Sequence, residues 1–212
     1  MEIITEQPGL LVFATDQTAS VLADMTDENL LAAAACGDET AFRLLYERHR
    51  TLVFRFAYRL LQSIELAEEI THDCFLSLIK KPGRFDASRA SLKTYLCAAA
   101  RNQALKLMRR AGNETTWEEI TAEPHTGESW NPLRQMIGAE LAAVVRQAIA
   151  ELPPLQREAV ILFEYEELSL AEIALVVSAD VGTVKSRLHR ARGKLRERLA
   201  PYVKHDADTV SP

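Results

Sequence analysis

Apolar side chains recur at steps of three and four along two long stretches, residues 27–110 and 133–199, and nowhere alternate over five or more residues. That spacing is the helix period and is incompatible with a half-buried strand, so the chain is predicted to be all-α, with two helical units. The punctuation agrees. Asp27 is placed to cap a helix carrying Leu30, Leu31 and Ala34 that stops at Gly37, and Asp38 is placed to cap the next, whose buried face reads Phe42, Leu45, His49, Leu52, Phe56 and Leu60. After Ser63 a third helix repeats Leu66, Ile70, Cys74 and Leu78 at four-residue steps until Pro82-Gly83. A fourth runs over residues 91–110 with Leu96, Ala100, Ala104 and Leu107 inward, and Gly112 stops it.

Residues 113–132 mix Glu, Thr, Gly, Pro and two Trp without a period, which predicts a flexible, exposed linker. Periodicity returns near Leu133 in the stripe Leu141, Val144, Val145, Ala148, Ile149 and Leu152, and Pro153-Pro154 ends it. A helix over residues 155–166 follows, with Val160, Leu162 and Phe163 inward. The chain therefore divides into an extension (1–25), a helical domain (26–112), a linker (113–132), a second helical domain (133–199) and a tail (200–212).

The net charge of -5 hides a segregation that bears on partners. Residues 1–42 hold eight acidic and no basic side chains; residues 43–110 hold fourteen basic and six acidic; 111–180 hold thirteen acidic and three basic; 181–212 return to eight basic and three acidic. Two basic blocks with an acidic one between them point to a polyanion touched at two places, since the acidic segment repels what the others attract. Wholesale disorder, a collagen or coiled-coil rod and a disulfide scaffold are excluded by the 48% apolar content and by three widely spaced cysteines, Cys36, Cys74 and Cys97. The run at residues 9–14 is far short of the roughly 20 residues that cross a bilayer, and no basic residue precedes it. A cytoplasmic protein without membrane insertion is expected.

Ser169-Leu170-Ala171-Glu172 has the form of a reciprocal cap, in which serine and glutamate satisfy amides at a helix start. The short helix it opens carries Leu170, Ile173, Val176 and Val177, and Ser178-Ala179-Asp180 separates it from another beginning at Gly182-Thr183. That last helix buries Val184, Leu188, Ala191 and Leu195, leaving Thr183, Ser186, Arg187 and Arg190 on the opposite stripe, flanked by Lys185, His189, Arg192 and Lys194. A recognition helix needs this: an apolar seam for docking, small polar residues at its start to approach bases, and cations for phosphates and guanine edges.

The runs Glu151-Leu152-Pro153-Pro154-Leu155-Gln156-Arg157-Glu158 and Leu168-Ser169-Leu170-Ala171-Glu172-Ile173-Ala174, and the twelve residues 181–192, resemble region four of bacterial sigma factors of the extracytoplasmic-function (ECF) group, in the sigma-70 superfamily. The resemblance implies that this unit reads the minus-thirty-five promoter element through Thr183, Lys185, Ser186, Arg187 and Arg190. It departs in the turn, where the family usually has Gly and this chain has Ser178. A serine held at positive φ there would be strained.

The first unit carries the same resemblance independently. Gly37-Asp38, Ala41-Phe42 and Leu45-Tyr46-Glu47-Arg48-His49 are similar to the opening of region two, and residues 67–76 to the segment that binds core RNA polymerase. Glu65, Glu69 and Asp73 stand one above another with Glu68 beside them, an acidic ridge suited to a basic partner helix, to which the resemblance adds His72 and Phe75. His72 replaces the family's usual Gln, so docking is expected to be mildly acid-sensitive. The stretch 84–110 resembles the part that captures the minus-ten element: Phe85 for an unstacked base, Asn102 for a polar base contact, and Arg101, Lys106, Arg109 and Arg110 for the backbone. Tyr95 stands where the family usually has Trp, and is expected to pack.

Glu114, Glu118, Glu119, Glu123 and Glu128 give the linker a polyanion-like character suited to the polymerase's RNA exit channel. Net acidity implies poor promoter binding by the free chain. The expectation is an alternative sigma factor, not an enzyme, that needs no cofactor, with core RNA polymerase and promoter DNA as partners and an anti-sigma factor as a usual family companion. Two rivals are a stand-alone helix-turn-helix regulator binding operators as a dimer and a helical metalloenzyme. The second rests on Glu69-Ile70-Thr71-His72, a Glu-x-x-His spacing with no second copy.

Overall fold

In the computed structural model the described residues are 25–110 and 136–208, and they form eight α-helices and no strand. The first four are α1 (Asp27–Ala35), α2 (Glu39–Leu61), α3 (Ile64–Lys80) and α4 (Leu92–Arg110). The helix starts follow local hydrogen-bonding chemistry. Asp38 Oδ1 accepts from the amides of Thr40 at 2.9 Å and Ala41 at 3.0 Å, Ser63 Oγ from Leu66 at 3.2 Å, and Ser91 Oγ from Thr94 at 3.2 Å. At α1 the cap is Thr26, one residue before the expected Asp27, whose carboxylate is drawn away to Arg48 at 2.7 Å and His49 at 2.8 Å. Gly37 takes φ 97° between α1 and α2, which a side chain would resist.

The expected core is present. Leu30, Leu45, Phe56, Leu60, Ile70, Cys74, Leu78, Leu96, Ala100 and Ala104 are buried, joined by Ala41, Val53 and Leu92. Phe42 and Leu52 are only half-buried, because the true seam of α2 runs one residue aside, through Ala41 and Val53, and Leu107 near the end of α4 is half-buried as well. Each large side chain in this seam contributes about 1.5–3 kcal/mol. Cys74 and Cys97 are buried free thiols within it, and burial raises the pKa of Cys74 to about 12.

The second group comprises α5 (Met136–Ala150), α6 (Pro154–Val160), α7 (Leu170–Val177) and α8 (Val181–Asp208). Pro154 opens α6 where its missing amide costs nothing. Beyond Val160 the helix widens over Ile161–Tyr165, with the Glu166 amide reaching back five residues to the Ile161 carbonyl at 3.1 Å. The α5 stripe is covered progressively: Ala148, Ile149 and Leu152 are buried, Val144 and Val145 half-buried, and Leu141 exposed. α8 continues past residue 199, through Pro201, to Asp208. The linker 113–132 and the extension 1–24 lie outside the described residues.

The two groups do not stand apart. α7 packs along α4, and the C-terminal half of α2 packs on the widened turn and α6. One hydrophobic cluster runs through both.

Candidate nucleic-acid interface

The helix-turn-helix is built from its caps. Ser169 Oγ accepts from the Glu172 amide at 3.3 Å, while Glu172 Oε2 accepts from the Ser169 amide at 2.9 Å and hydroxyl at 2.7 Å, completing the reciprocal cap. These bonds hold the Glu172 pKa below its ordinary value. Ser178 then takes φ 52°, ψ 47°, the left-handed conformation, which turns the chain toward Asp180. Asp180 caps α8: Oδ1 accepts from the Thr183 amide at 2.8 Å and Oδ2 from its hydroxyl at 2.5 Å, lowering the carboxyl pKa. A Cβ at Gly182 would sit 2.9 Å from Asp180 Oδ1, so a side chain there would push the capping carboxylate aside.

Val184, Leu188 and Ala191 bury the inner seam of α8, and Lys185, Ser186, His189, Arg190 and Lys194 are exposed outside it. Two expected members of the solvent stripe differ. Thr183 is half-buried with its hydroxyl given to the cap, and Arg187 is half-buried with one terminal nitrogen buried and unpartnered. Positions 184 and 191, three before and four after Arg187, both face inward, so it stands at the seam's edge. Arg192 is held at home by Glu164 at 2.8 Å and the Phe163 ring at 5.1 Å.

On the first unit, Glu65, Glu68, Glu69, His72 and Asp73 are exposed on one side of α3. Glu65 is held below its ordinary pKa by its own backbone amide at the helix start and by the Ser63 hydroxyl. Phe85 is half-buried, edge-on to Tyr95 with ring centroids 5.6 Å apart, so both rings partly serve packing. Asn102 and Lys106 are exposed on α4. Arg101 is not: its side chain pairs with Glu158 of α6, whose carboxylate is fully buried.

Three further polar contacts cross the junction. Arg59 Nη1 donates to Glu166 Oε1 at 2.9 Å, with its guanidinium 4.2 Å from the centre of the Tyr165 ring. Thr94 Oγ1 donates to Glu172 Oε1 at 2.9 Å, using the capping carboxylate's second oxygen. The buried Arg157 donates to the Leu60 carbonyl at 3.4 Å, placing a cation at the C-terminus of α2. The sequence reading missed Glu158, Glu166, Arg59 and Arg157. The visible signal was a pair of charges, Arg157-Glu158, set directly before the apolar run 159–163.

Among known proteins, the ECF RNA polymerase sigma factor SigM of Mycobacterium tuberculosis is 31% identical over 180 residues, 85% of this chain and 87% of the relative. SigW of Bacillus subtilis, also an ECF RNA polymerase sigma factor, is 30% identical over 77% of this chain and 91% of its own. The chain belongs to the ECF group of sigma-70 factors. The family profile of sigma-70 region 2 matches residues 45–114 and that of sigma-70 region 4 residues 142–195. In fold, this sigma factor is similar to RpoE of Bartonella quintana, solved in complex with the anti-sigma factor NepR, at a TM-score of 0.60 and 26% identity over 75% of this chain and 96% of that one.

Within region 2 of this sigma factor, one expected contact needs correction. Phe75 is 2% exposed and packs edge-on against Tyr46, ring centroids 4.8 Å apart, so it belongs to the core. Leu76, next to it, is 38% exposed and is an apolar residue on the acidic side of α3. Arg109 and Arg110 end α4, but their side chains lie outside the described ones. Among the described residues no three of His, Cys, Asp and Glu gather closely enough to hold a metal, and no helix is long and apolar enough to cross a membrane.

Proposed function

We propose that this chain binds core RNA polymerase and directs promoter-specific initiation of transcription, catalysing no step itself and acting in the cytoplasm. The observation that carries the reading is the capped helix-turn-helix, which presents Lys185, Ser186 and Arg190 from one exposed stripe of α8, with Arg187 at its margin. Small polar residues near a helix N-terminus approach base edges, and the cations behind them hold phosphates. On this reading α8 contacts the minus-thirty-five element through Thr183, Lys185, Ser186, Arg187 and Arg190. Thr183 does so as an acceptor through its hydroxyl oxygen, its amide and its hydroxyl proton both being given to Asp180.

Glu65, Glu68, Glu69, His72, Asp73 and Leu76 then form the polymerase-docking face, an acidic ridge with an apolar edge that fits a basic amphipathic helix. Phe85, Asn102 and Lys106, with Arg101, Arg109 and Arg110, serve the separated minus-ten strand, with bases against an apolar surface and cations along the backbone. An anti-sigma factor of the kind solved with the Bartonella relative is a natural further partner.

The test is reconstitution. Core polymerase with this chain will start transcripts at discrete promoters that neither component selects alone, and sequencing transcripts after overexpression will return one shared pair of elements. A chain that footprints DNA tightly by itself and leaves polymerase selectivity unchanged would instead be an operator-binding regulator.

A further inference from the structure

The start of α8 holds one hydrogen-bonding group unlike its neighbours. The side chains of Lys185, Arg187 and Arg190 only donate, and the Ser186 hydroxyl turns either way. Thr183 is different. Its amide donates to Asp180 Oδ1 at 2.8 Å and its hydroxyl to Asp180 Oδ2 at 2.5 Å, so both protons are committed and only the lone pairs of the hydroxyl oxygen remain for a ligand. Asp180 is exposed, and these same two bonds hold its carboxyl below the usual range, so it stays ionised at neutral pH. Together the two side chains present acceptors and no free donor.

We propose that Asp180, by holding the Thr183 proton, makes this pair the selector for a base amino group in the upstream promoter element, cytosine N4 first and adenine N6 second. The inference rests on the reading of α8 as the helix that enters the major groove. A phosphate offers acceptors alone, so the DNA backbone has nothing to give an acceptor-only pair, and base edges are left. In the major groove the donors are the amino groups of cytosine and adenine, whereas guanine O6 and N7 and thymine O4 all accept. Cytosine fits better, because the adenine N7 beside its amino group is a further acceptor that this pair leaves unsatisfied. Thr183 reads the base, and Asp180 is a positioning residue that acts through it.

Core polymerase carrying the full chain tests this on a promoter library in which every base pair of the upstream element is varied and transcript starts are counted. With the wild-type chain one position will favour cytosine over thymine, which exchanges an amino group for a carbonyl at nearly constant size, by about fivefold or more. Thr183→Val keeps the shape and removes the hydroxyl; it will lose the preference at that position and keep those elsewhere. Thr183→Ser will retain it. Asp180→Ser still caps α8 but releases the Thr183 proton, and thymine or guanine will then be accepted at the same position.

A cytosine preference untouched by Thr183→Val, or a loss of equal size on every promoter with Asp180→Ser, would overturn the inference and leave Asp180 a helix cap only. If Thr183→Val lowers the helical circular dichroism, Asp180→Ser decides by the same cytosine-to-thymine ratio. Holoenzyme without discrete start sites would sink the functional reading and this inference with it, whereas discrete starts with no position favouring an amino base would sink this inference alone.

Discussion

Ser178 stands at φ 52°, ψ 47° two residues before Asp180, and this one left-handed residue brings the Asp180 carboxylate over the start of α8 to cap Thr183. α8, the proposed DNA-reading helix, is thus aimed by a backbone conformation that the Ser178 side chain disfavours, at a cost of about 1–2 kcal/mol.

Ser178→Gly removes that penalty, offset in part by the greater freedom of glycine in the unfolded chain. The expected gain is up to about 1 kcal/mol, read as a higher urea midpoint. Ser178→Val will lose more than that, since a β-branched residue tolerates positive φ worst.

Phe75 and Leu76 are adjacent and opposite in role. Phe75→Ala will cost about 3–5 kcal/mol of stability by leaving a cavity beside Tyr46. Leu76→Ala will change stability by less than about 0.5 kcal/mol, as exposed substitutions do. It will nevertheless weaken binding to core polymerase, measured by titration of labelled chain. An unchanged affinity would remove Leu76 from the docking face.

Burial raises the Glu166 carboxyl pKa, against the opposing pull of Arg59, Lys93 and Arg55. The folded chain then holds this proton more tightly than the unfolded one, so the contribution is full below the unfolded value of about 4.3 and is lost as pH rises through the folded value. Wild-type melting temperature relative to Glu166→Gln will therefore fall between pH 4.5 and 7.5. Parallel profiles would show that the carboxyl does not titrate this way.

Arg187→Ala will weaken recognition of the upstream element by about 1–3 kcal/mol at one base position if the side chain reads a base edge. A loss of equal size on every promoter variant in a binding series would assign it to phosphate.

Periodicity and caps located most helix starts to within a residue or two, because both are local, whereas the end of α8, expected near residue 199, lies at Asp208. Asp38, Ser63 and Ser169 reach amides two or three positions away, and the buried seam of α8 repeats at helix spacing. Even so, Asp27 looked like a cap and was not, since a distant arginine and histidine compete for the same carboxylate. Phe75 likewise lies on the same predicted helix as its exposed acidic neighbours, yet it points inward with Thr71 and Leu78 and packs against Tyr46 on another helix.

What the sequence by itself determined was the all-helical order, the two modules, the reciprocal cap and the family, each written in short-range spacing or in motif. Which polar residues stay free was decided by tertiary structure alone. Arg101 and Glu158 lie 57 positions apart and Arg59 and Glu166 lie 107 apart. No periodic pattern links such residues; they meet because two amphipathic modules of complementary charge come to rest against each other.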